Sequence, residues 1–419
     1  MNLMSLENHS CDSKPQQVVV LGSTGSIGLN TLEVIQRQGG SFQVFALTAH
    51  KNITLLLQQI IQFHPKYVVV TDSEAYQKLR IILKEQGNIT PLLFGHEATI
   101  ELVSRSEVDI VVGGLVGAIG LMPLITAAIH GKRILLANKE PLVMAGEIFI
   151  HALKEGGGML LPVDSEHNAI FQAMPRDYTI GHKPQGVTKV ILTASGGPFF
   201  REPLKNLEAV TPAQAAAHPN WVMGKKISID CATLMNKALE VIEAHFLFNL
   251  PSKTIEVLIH PQSTVHSMVC YEDGSMLAQL GTPDMRTPIA YCLGWPTRIP
   301  SGVEMLDLTK MAALEFYAVD PQRFPAISLA YQMINKGNIW PAIFNAANEI
   351  AVEAFIEQKI KFTDILTIVQ NTLELMERSP DTRHSEANLS LNDLEWVLHI
   401  DALTRKIAKE AVKNLEVCI

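Results

Sequence analysis

The strongest constraint on the fold lies near the start of the chain. An apolar run, Gln17-Val18-Val19-Val20-Leu21, passes directly into Gly22-Ser23-Thr24-Gly25-Ser26-Ile27-Gly28. Consecutive β-branched residues of this kind read as a strand buried on both faces. The small residues after it allow a tight turn, and Leu29 to Gln38 has a helical pattern. Strand, turn and helix in that order form half of a βαβ unit, which needs parallel neighbours. Val44 to Leu47, Tyr67 to Val70, Val108 to Val112 and Ile134 to Ala137 supply them, with helical patterns between. The alternation predicts an α/β protein whose N-terminal domain is a doubly wound, Rossmann-like parallel sheet.

The spacing Gly22-x-x-Gly25-x-x-Gly28 is a variant of the dinucleotide fingerprint. Its glycines let a pyrophosphate approach the free N–H groups of the following helix. A purely structural βα turn is the alternative, and the placement after the first strand favours the cofactor. The second strand ends in Thr48-Ala49-His50-Lys51-Asn52, with no acid to hold the ribose hydroxyl of NADH. Lys51, with His50 beside it, suits a 2′-phosphate, so the expected cofactor is NADPH.

A second apolar run ends in Leu160-Leu161-Pro162-Val163-Asp164-Ser165-Glu166-His167-Asn168. In an extended chain Asp164 and Glu166 share one face and repel unless a cation separates them. A hard divalent ion, Mg²⁺ or Mn²⁺, prefers such oxygens. The alternative is a solvated strand end with a helix N-cap at Ser165 or Asp164.

At 419 residues the chain is long for one core, so about two or three domains are expected. Hydrophobic residues at 47% and charged ones at 18% describe a well-filled globular protein. A net charge of −8 without a Lys/Arg run argues against nucleic-acid binding. Cys11, Cys231, Cys270, Cys292 and Cys418 are scattered, with no C-x-x-C pair. That fits reduced thiols in a cytoplasmic protein. Residues 1 to 17 lack the order of a signal peptide, and residues 1–15 read as a disordered tail. Ile110 to Ile129 carries no charge, but Gly113, Gly114, Gly117, Gly120 and Pro123 make it a strand, a glycine loop and a helix rather than a membrane span.

The NADPH-binding domain is therefore expected over 16–164, and an α+β catalytic domain over 165–294. There Val187 to Thr193 reads as a strand, followed by Ser195-Gly196-Gly197. The stretch of about 195–225, ending in His218-Pro219-Asn220-Trp221-Val222-Met223-Gly224, reads as a mobile lid or as a surface loop with Trp221 packed on the core. Lys226 to Asp230 reads as a strand and Ala232 to Phe246 as a helix bearing Asn236, Lys237 and Glu240. Those three form a solvated face, or else supply a third metal carboxylate and two anion donors. Strands at Thr254 to His260, Thr264 to Tyr271 and Ser275 to Leu280 suggest a meander. Residues 295–324 look like a proline-rich connector, and 325–419 like a C-terminal helical bundle.

Taken together, these motifs resemble the 1-deoxy-D-xylulose 5-phosphate reductoisomerase family of the non-mevalonate isoprenoid pathway. The resemblance runs from about Val18 into the bundle. It is carried by GSTGSIG (22–28), LANKE (136–140), PVDSEHNAIFQ (162–172), TASGGPF (193–199), HPNWVMGKKIS (218–228), ATLMNK (232–237), HPQSTVHSMV (260–269) and GTPDMRTPIA (281–290). It implies a V-shaped subunit, usually a homodimer, with Mg²⁺ or Mn²⁺ held by Asp164, Glu166 and Glu240. Those three and Lys139 are the implied catalytic residues. The sugar-phosphate substrate is expected at Lys139, Ser165, Glu166, Ser195, His218, Trp221, Cys231, Asn236, Lys237 and Glu240, with Trp221 riding on the lid. NADPH is expected at Thr24, Gly25, Ser26, Ile27, Lys51, Asn52, Asn138, Glu140 and Gly224, with Ala49 and His50 alongside.

The implied reaction breaks and remakes a carbon–carbon bond, by retro-aldol and aldol steps, then reduces the aldehyde. The metal serves as a Lewis acid and NADPH as the hydride donor. Cys231 departs from the serine usual in the family, so weaker phosphate binding is expected, by at most about 1 kcal/mol. Its nearness to Lys237 suggests a reactive thiol. Pro141, His50 and Ala238 are milder departures. The rival readings are an NADP-linked oxidoreductase of shifted substrate and a non-catalytic NADPH sensor, which would need no metal triad.

Overall fold

The computed structural model describes residues 14–217, 224–311, 313–382 and 389–416. The N-terminal part alternates as expected: β1 (Gln16–Leu21), α1 (Ser26–Gln36), β2 (Phe42–Ala49), α2 (Ile53–Phe63), β3 (Tyr67–Val70), α3 (Ser73–Glu85), β4 (Leu92–Phe94), α4 (Gly95–Ser104), β5 (Ile110–Gly113), α5 (Leu121–Ile129), β6 (Arg133–Leu136), α6 (Glu140–Gly156) and β7 (Met159–Pro162). Its strands are parallel, in the order β4-β3-β2-β1-β5-β6-β7. The order reverses between β1 and β5, and a crevice opens there at the carboxyl ends of the strands. Val18 to Leu21 are fully buried, as a central strand covered on both faces requires.

The glycines of the first turn are demanded by close approach. Gly22 has φ of +74°, and a Cβ there would lie 2.9 Å from the Gly114 carbonyl oxygen. A Cβ on Gly28 would fall onto the backbone of Ser23. Thr48 pins the turn to β2, its Oγ1 accepting from Gly22 N at 2.9 Å and its carbonyl from Ser23 N at 2.8 Å.

The middle of the chain holds α7 (Ser165–Ala173), β8 (Val187–Ala194), α8 (Pro212–Ala215), α9 (Lys225–Ala232), α10 (Met235–Phe248), β9 (Ile255–Ile259), β10 (Val265–Tyr271), β11 (Met276–Leu280), α11 (Arg286–Gly294) and β12 (Tyr317–Ala318). Its mixed sheet has the order β11-β10-β8-β9-β12. Four helices follow: α12 (Pro325–Lys336), α13 (Trp340–Ile356), α14 (Asp364–Arg378) and α15 (Leu394–Glu416). One continuous apolar core runs from β1 through α6 and α10 into α13 and α15.

Four local expectations are corrected. Asp164 and Glu166 do not sit on one extended strand: the chain turns into α7 at Asp164, which is its N-cap. Lys226 to Asp230 is helical, because alternation over so few residues fits either structure, and the Lys226–Asp230 pair at i, i+4 needs a helix. The expected meander is only the hairpin of β10 and β11, since β9 crosses over to pair in parallel with β8. The connector is not wholly irregular, since Tyr317–Ala318 adds an edge strand to β9. The uncharged stretch from Ile110 is β5, a loop and α5. Among the described residues no helix is long and apolar enough to cross a membrane.

Candidate active site

Three helix starts face one another across the crevice. At the first, Lys139 is the N-cap of α6 and Pro141 fits its opening turn, where a missing N–H costs nothing. At the second, Asp164 caps α7 by accepting from the Glu166 backbone N–H at 3.3 Å, and Glu166 occupies the first turn. At the third, Asn236, Lys237 and Glu240 lie in the first two turns of α10. Leu234, in the left-handed region at φ of +56°, breaks the chain between α9 and α10 and aims that turn. That joint has no sequence signature beyond Thr233, whose Oγ1 accepts from Met235 N.

One oxygen from each of Asp164, Glu166 and Glu240 lies within 4.8 Å of the others. Two lysines hold the cluster together. Lys139 Nζ is 3.0 Å from Asp164 Oδ2 and 3.1 Å from Glu240 Oε1, and it donates to Asn236 Oδ1 at 2.9 Å. Lys237 Nζ is 2.7 Å from Glu166 Oε1 and also pairs with Glu240 Oε2. Burial opposes the charge on Lys139, but Asp164 and Glu240 outweigh it and hold the ammonium well above the ordinary lysine range. Burial opposes the charge on Asp164 too, and Lys139 with His167 holds that carboxyl well below its usual range. For Glu240, burial and the neighbouring Glu166 charge raise the pKa. Such a set, carboxylate oxygens alone in a desolvated cleft, fits a hard divalent cation.

Behind the cluster His167 is fully buried. Its Nε2 donates to the Glu240 carbonyl oxygen at 2.9 Å, and its Nδ1 faces Glu243 at 3.2 Å and Asp164 at 3.5 Å. Burial would neutralise the ring, but Glu243 and Asp164 raise its pKa to about 9. In the sequence His167 stands out only as part of a motif, and Glu243 carries no signal at all within its apolar helix.

Most of the expected residues line one cavity of about 280 Å³. Its walls include Gly25, Ser26 and Ile27 of the first turn, Asn138, Lys139 and Glu140, the three carboxylates with Ser165, then Ser195, Gly224, Cys231, Asn236 and Lys237. Lys226, Ser263 and Met285 also line it, though the sequence did not single them out. The side chain of Asn138 is buried, with neither its nitrogen nor its oxygen bonded within the protein. An orphaned amide in this wall, beside a glycine turn that a Cβ would block, fits a dinucleotide. Ala49, His50, Lys51 and Asn52 stand outside the cavity, at the end of β2 beside the turn, and Thr24 lies in the turn itself. There His50 Nδ1 meets Thr71 Oγ1 at 3.0 Å, Asn52 caps α2, and Lys51 is exposed, 4.0 Å from Asp72. His218 and Trp221, with the tip of the expected lid, lie outside the described residues.

Cys231 is half-buried in the last turn of α9, in surroundings that oppose the reactive thiol expected of it. Desolvation first, then the charge of Glu240, pushes its pKa up further than Lys139 and Lys237 pull it down.

Models of the family match along the chain. The one described as 1-deoxy-D-xylulose 5-phosphate reductoisomerase covers residues 18–146, and the two for its C-terminal domains cover 160–248 and 280–407. The 1-deoxy-D-xylulose 5-phosphate reductoisomerase of Dechloromonas aromatica is 51% identical over 96% of this chain and 98% of its own. That of Methylobacillus flagellatus is 52% identical over 96% and 99%. A crystal structure of DOX-P reductoisomerase in complex with NADPH, fosmidomycin and magnesium superposes with a TM-score of 0.91 at 43% identity, over 96% of this chain and 99% of that one. The Zymomonas mobilis enzyme in complex with NADPH gives 0.85 at 44% identity, over 95% and 99%. With its three matched regions in order and relatives that span nearly its whole length, the chain belongs to the 1-deoxy-D-xylulose 5-phosphate reductoisomerase family.

Proposed function

We infer that this chain converts 1-deoxy-D-xylulose 5-phosphate to 2-C-methyl-D-erythritol 4-phosphate, using NADPH and a divalent metal ion. One observation carries the reading: three carboxylates and two lysines converge in a cavity that continues to the glycine turn of a parallel sheet. When bound, Mg²⁺ or Mn²⁺ supplies Lewis acidity and NADPH supplies hydride. Asp164, Glu166 and Glu240 hold the ion. Lys139, kept cationic by Asp164 and Glu240, faces the oxygens on which negative charge develops. Ser195, Asn236, Lys237 and Cys231 hold the phosphate, with Ser165 and the lid residues His218 and Trp221 completing the enclosure. That remote binding excludes water from the reacting carbons. Asn138, Glu140, Gly224 and the turn Thr24 to Ile27 seat NADPH, and Ala49 to Asn52 accept its adenosine end.

The domain limits of 16–164, 165–294 and 325–419 serve this chemistry by placing the cavity where the parallel sheet meets the mixed one. A homodimer forms through β11, an edge strand with Met276, Leu277 and Leu280 exposed, an arrangement that favours pairing with a second copy. The free thiols Cys231, Cys270 and Cys292 suit the cytoplasm.

The test is NADPH oxidation, followed by absorbance, with 1-deoxy-D-xylulose 5-phosphate and with or without Mn²⁺. Metal-dependent turnover is the expected result. Retention of both NADPH and metal without turnover would point instead to a shifted substrate, and NADPH binding indifferent to metal would point to a sensor.

A further inference from the structure

The chemistry proposed above gives no task to one half-buried cation in the cavity wall, Lys226 of α9. Its Nζ lies 2.9 Å from Asp230 Oδ2, one turn along, and 3.6 Å from Oε1 of Glu140, the first residue of α6. Asp230 looks the other way as well, its Oδ1 accepting from Asn348 Nδ2 of α13 at 2.9 Å. The next residue of α13, Glu349, meets Arg405 Nη2 of α15 at 2.6 Å, and Arg405 Nε donates to Asp401 at 2.7 Å. Glu140, Asp230 and Asn348 are all buried. A continuous polar chain therefore runs from the cavity wall into the C-terminal helices. Without Lys226, the buried Glu140 carboxylate would lose this partner and Asp230 would keep only Asn348 among the described residues, an imbalance that the local structure relieves only by moving. Lys139, one residue before Glu140, has separate anchors in Asp164, Glu240 and Asn236. The dependence on Lys226 thus falls on Glu140 and the cofactor side, not on the metal cluster.

We propose that Lys226 is a positioning residue that joins Glu140 to the C-terminal bundle through Asp230 and Asn348, so that the bundle sets the NADPH end of the cavity. The proposal rests on reading that end as the NADPH site. It is tested on the full chain by titrating NADPH, followed by the fluorescence of the bound nicotinamide, and Mn²⁺, followed by electron paramagnetic resonance. Lys226→Met is expected to raise the Kd and KM for NADPH about tenfold or more, because a buried carboxylate loses its cation, with kcat changed far less. Lys226→Arg, which keeps the charge, is expected to restore most of the affinity. Asn348→Ala leaves the Lys226–Glu140 pair but cuts the link to α13, and is expected to weaken NADPH binding by about threefold to tenfold, less than the full worth of a hydrogen bond to a charged group because the bond acts on the cofactor side at one remove. Mn²⁺ affinity is expected to stay within about twofold in all three, because its ligands keep their anchors. NADPH affinity unchanged in Lys226→Met, or Mn²⁺ affinity falling in step with it, would overturn the proposal. Should Lys226→Met fail to fold, Asn348→Ala decides, and wild-type NADPH affinity there overturns the role of the bundle. Absence of NADPH binding in the wild type itself would overturn the cofactor reading and this proposal together, an outcome distinct from wild-type binding that Lys226→Met retains.

Discussion

The Lys237 ammonium reaches from α10 to within 2.7 Å of Glu166 Oε1 on α7, closing the side of the carboxylate cluster that Lys139 leaves open. Each carboxylate in the cluster thus has a lysine partner and yet offers an oxygen to the centre. A divalent ion that enters must compete with these ammonium groups, so all three carboxylates are needed to win that competition. Glu166→Gln keeps the shape and removes one charge. It is expected to weaken Mn²⁺ binding at least about 100-fold, since loss of outer partners alone costs about 10–100-fold. Paramagnetic titration of Mn²⁺ measures this, and an affinity within threefold of wild type would remove Glu166 from the ligand set.

Gly28 tests the other end of the cavity. A methyl group there would overlap the Ser23 backbone, which is itself held by Thr48 and by Gln59, whose Nε2 donates to the Ser23 carbonyl at 2.8 Å. The turn must open to admit it. Gly28→Ala is expected to cost about 1–3 kcal/mol of stability by overpacking, and to impair NADPH binding while leaving Mn²⁺ binding intact. Urea unfolding and the two titrations read this out. Unchanged stability would show that the close contact is not required.

How much of this was legible in the sequence depended on the range of the signal. The strand, glycine turn and helix from Gln17 onward carry their own chemistry locally, and the parallel sheet followed from repeating that unit. Asp164 and Glu166 were paired for a reason that does not hold, extended geometry, because an N-cap and a strand end look alike when an apolar run stops at Asp. The metal expectation survived because α10 brings Glu240 to the same place, a long-range fact that the residues of that helix offered only as one of two alternatives and the resemblance alone selected. Lys226, Asp230 and Asn348 were illegible for a similar reason. Their partners lie on three separate helices, and a polar residue inside an apolar helix gives no hint of what it faces. The surroundings of Cys231 were hidden for a related reason, since sequence neighbours show nearby lysines but not desolvation.

Those surroundings make Cys231 predictable. With its pKa raised by burial and by Glu240, the thiol carries almost no thiolate at neutral pH. Iodoacetamide at pH 7.5 is therefore expected to leave activity intact over times that modify a free thiol. Cys231→Ser supplies a stronger donor and is expected to lower the KM for the sugar phosphate by up to about fivefold, or about 1 kcal/mol. Steady-state kinetics on both proteins measures this. An unchanged KM would remove Cys231 from the phosphate contacts, and rapid inactivation by the alkylator would contradict the half-buried, neutral thiol.

His266 gives the fold a defined acid sensitivity. The ring is buried beneath the active site, where burial first and the Lys237 charge second lower its pKa from 6.5 to about 4. A folded-state pKa below the unfolded one means that the unfolded chain takes up the proton first as pH falls. The neutral ring is thus compatible with full stability above pH 6.5, and stability is lost progressively between there and about pH 4. The loss attributable to this one group is about 2–3 kcal/mol, at roughly 1.4 kcal/mol for each tenfold change in protonation. Other carboxylates and histidines titrate in the same window, so the informative quantity is a difference. Urea unfolding of wild type and His266→Gln at pH 7 and at pH 4 is expected to show wild type losing about 2–3 kcal/mol more than the variant. Equal losses in the two proteins would mean that the ring is accommodated in its charged form, and the acid sensitivity would then have to come from the carboxylate cluster above it.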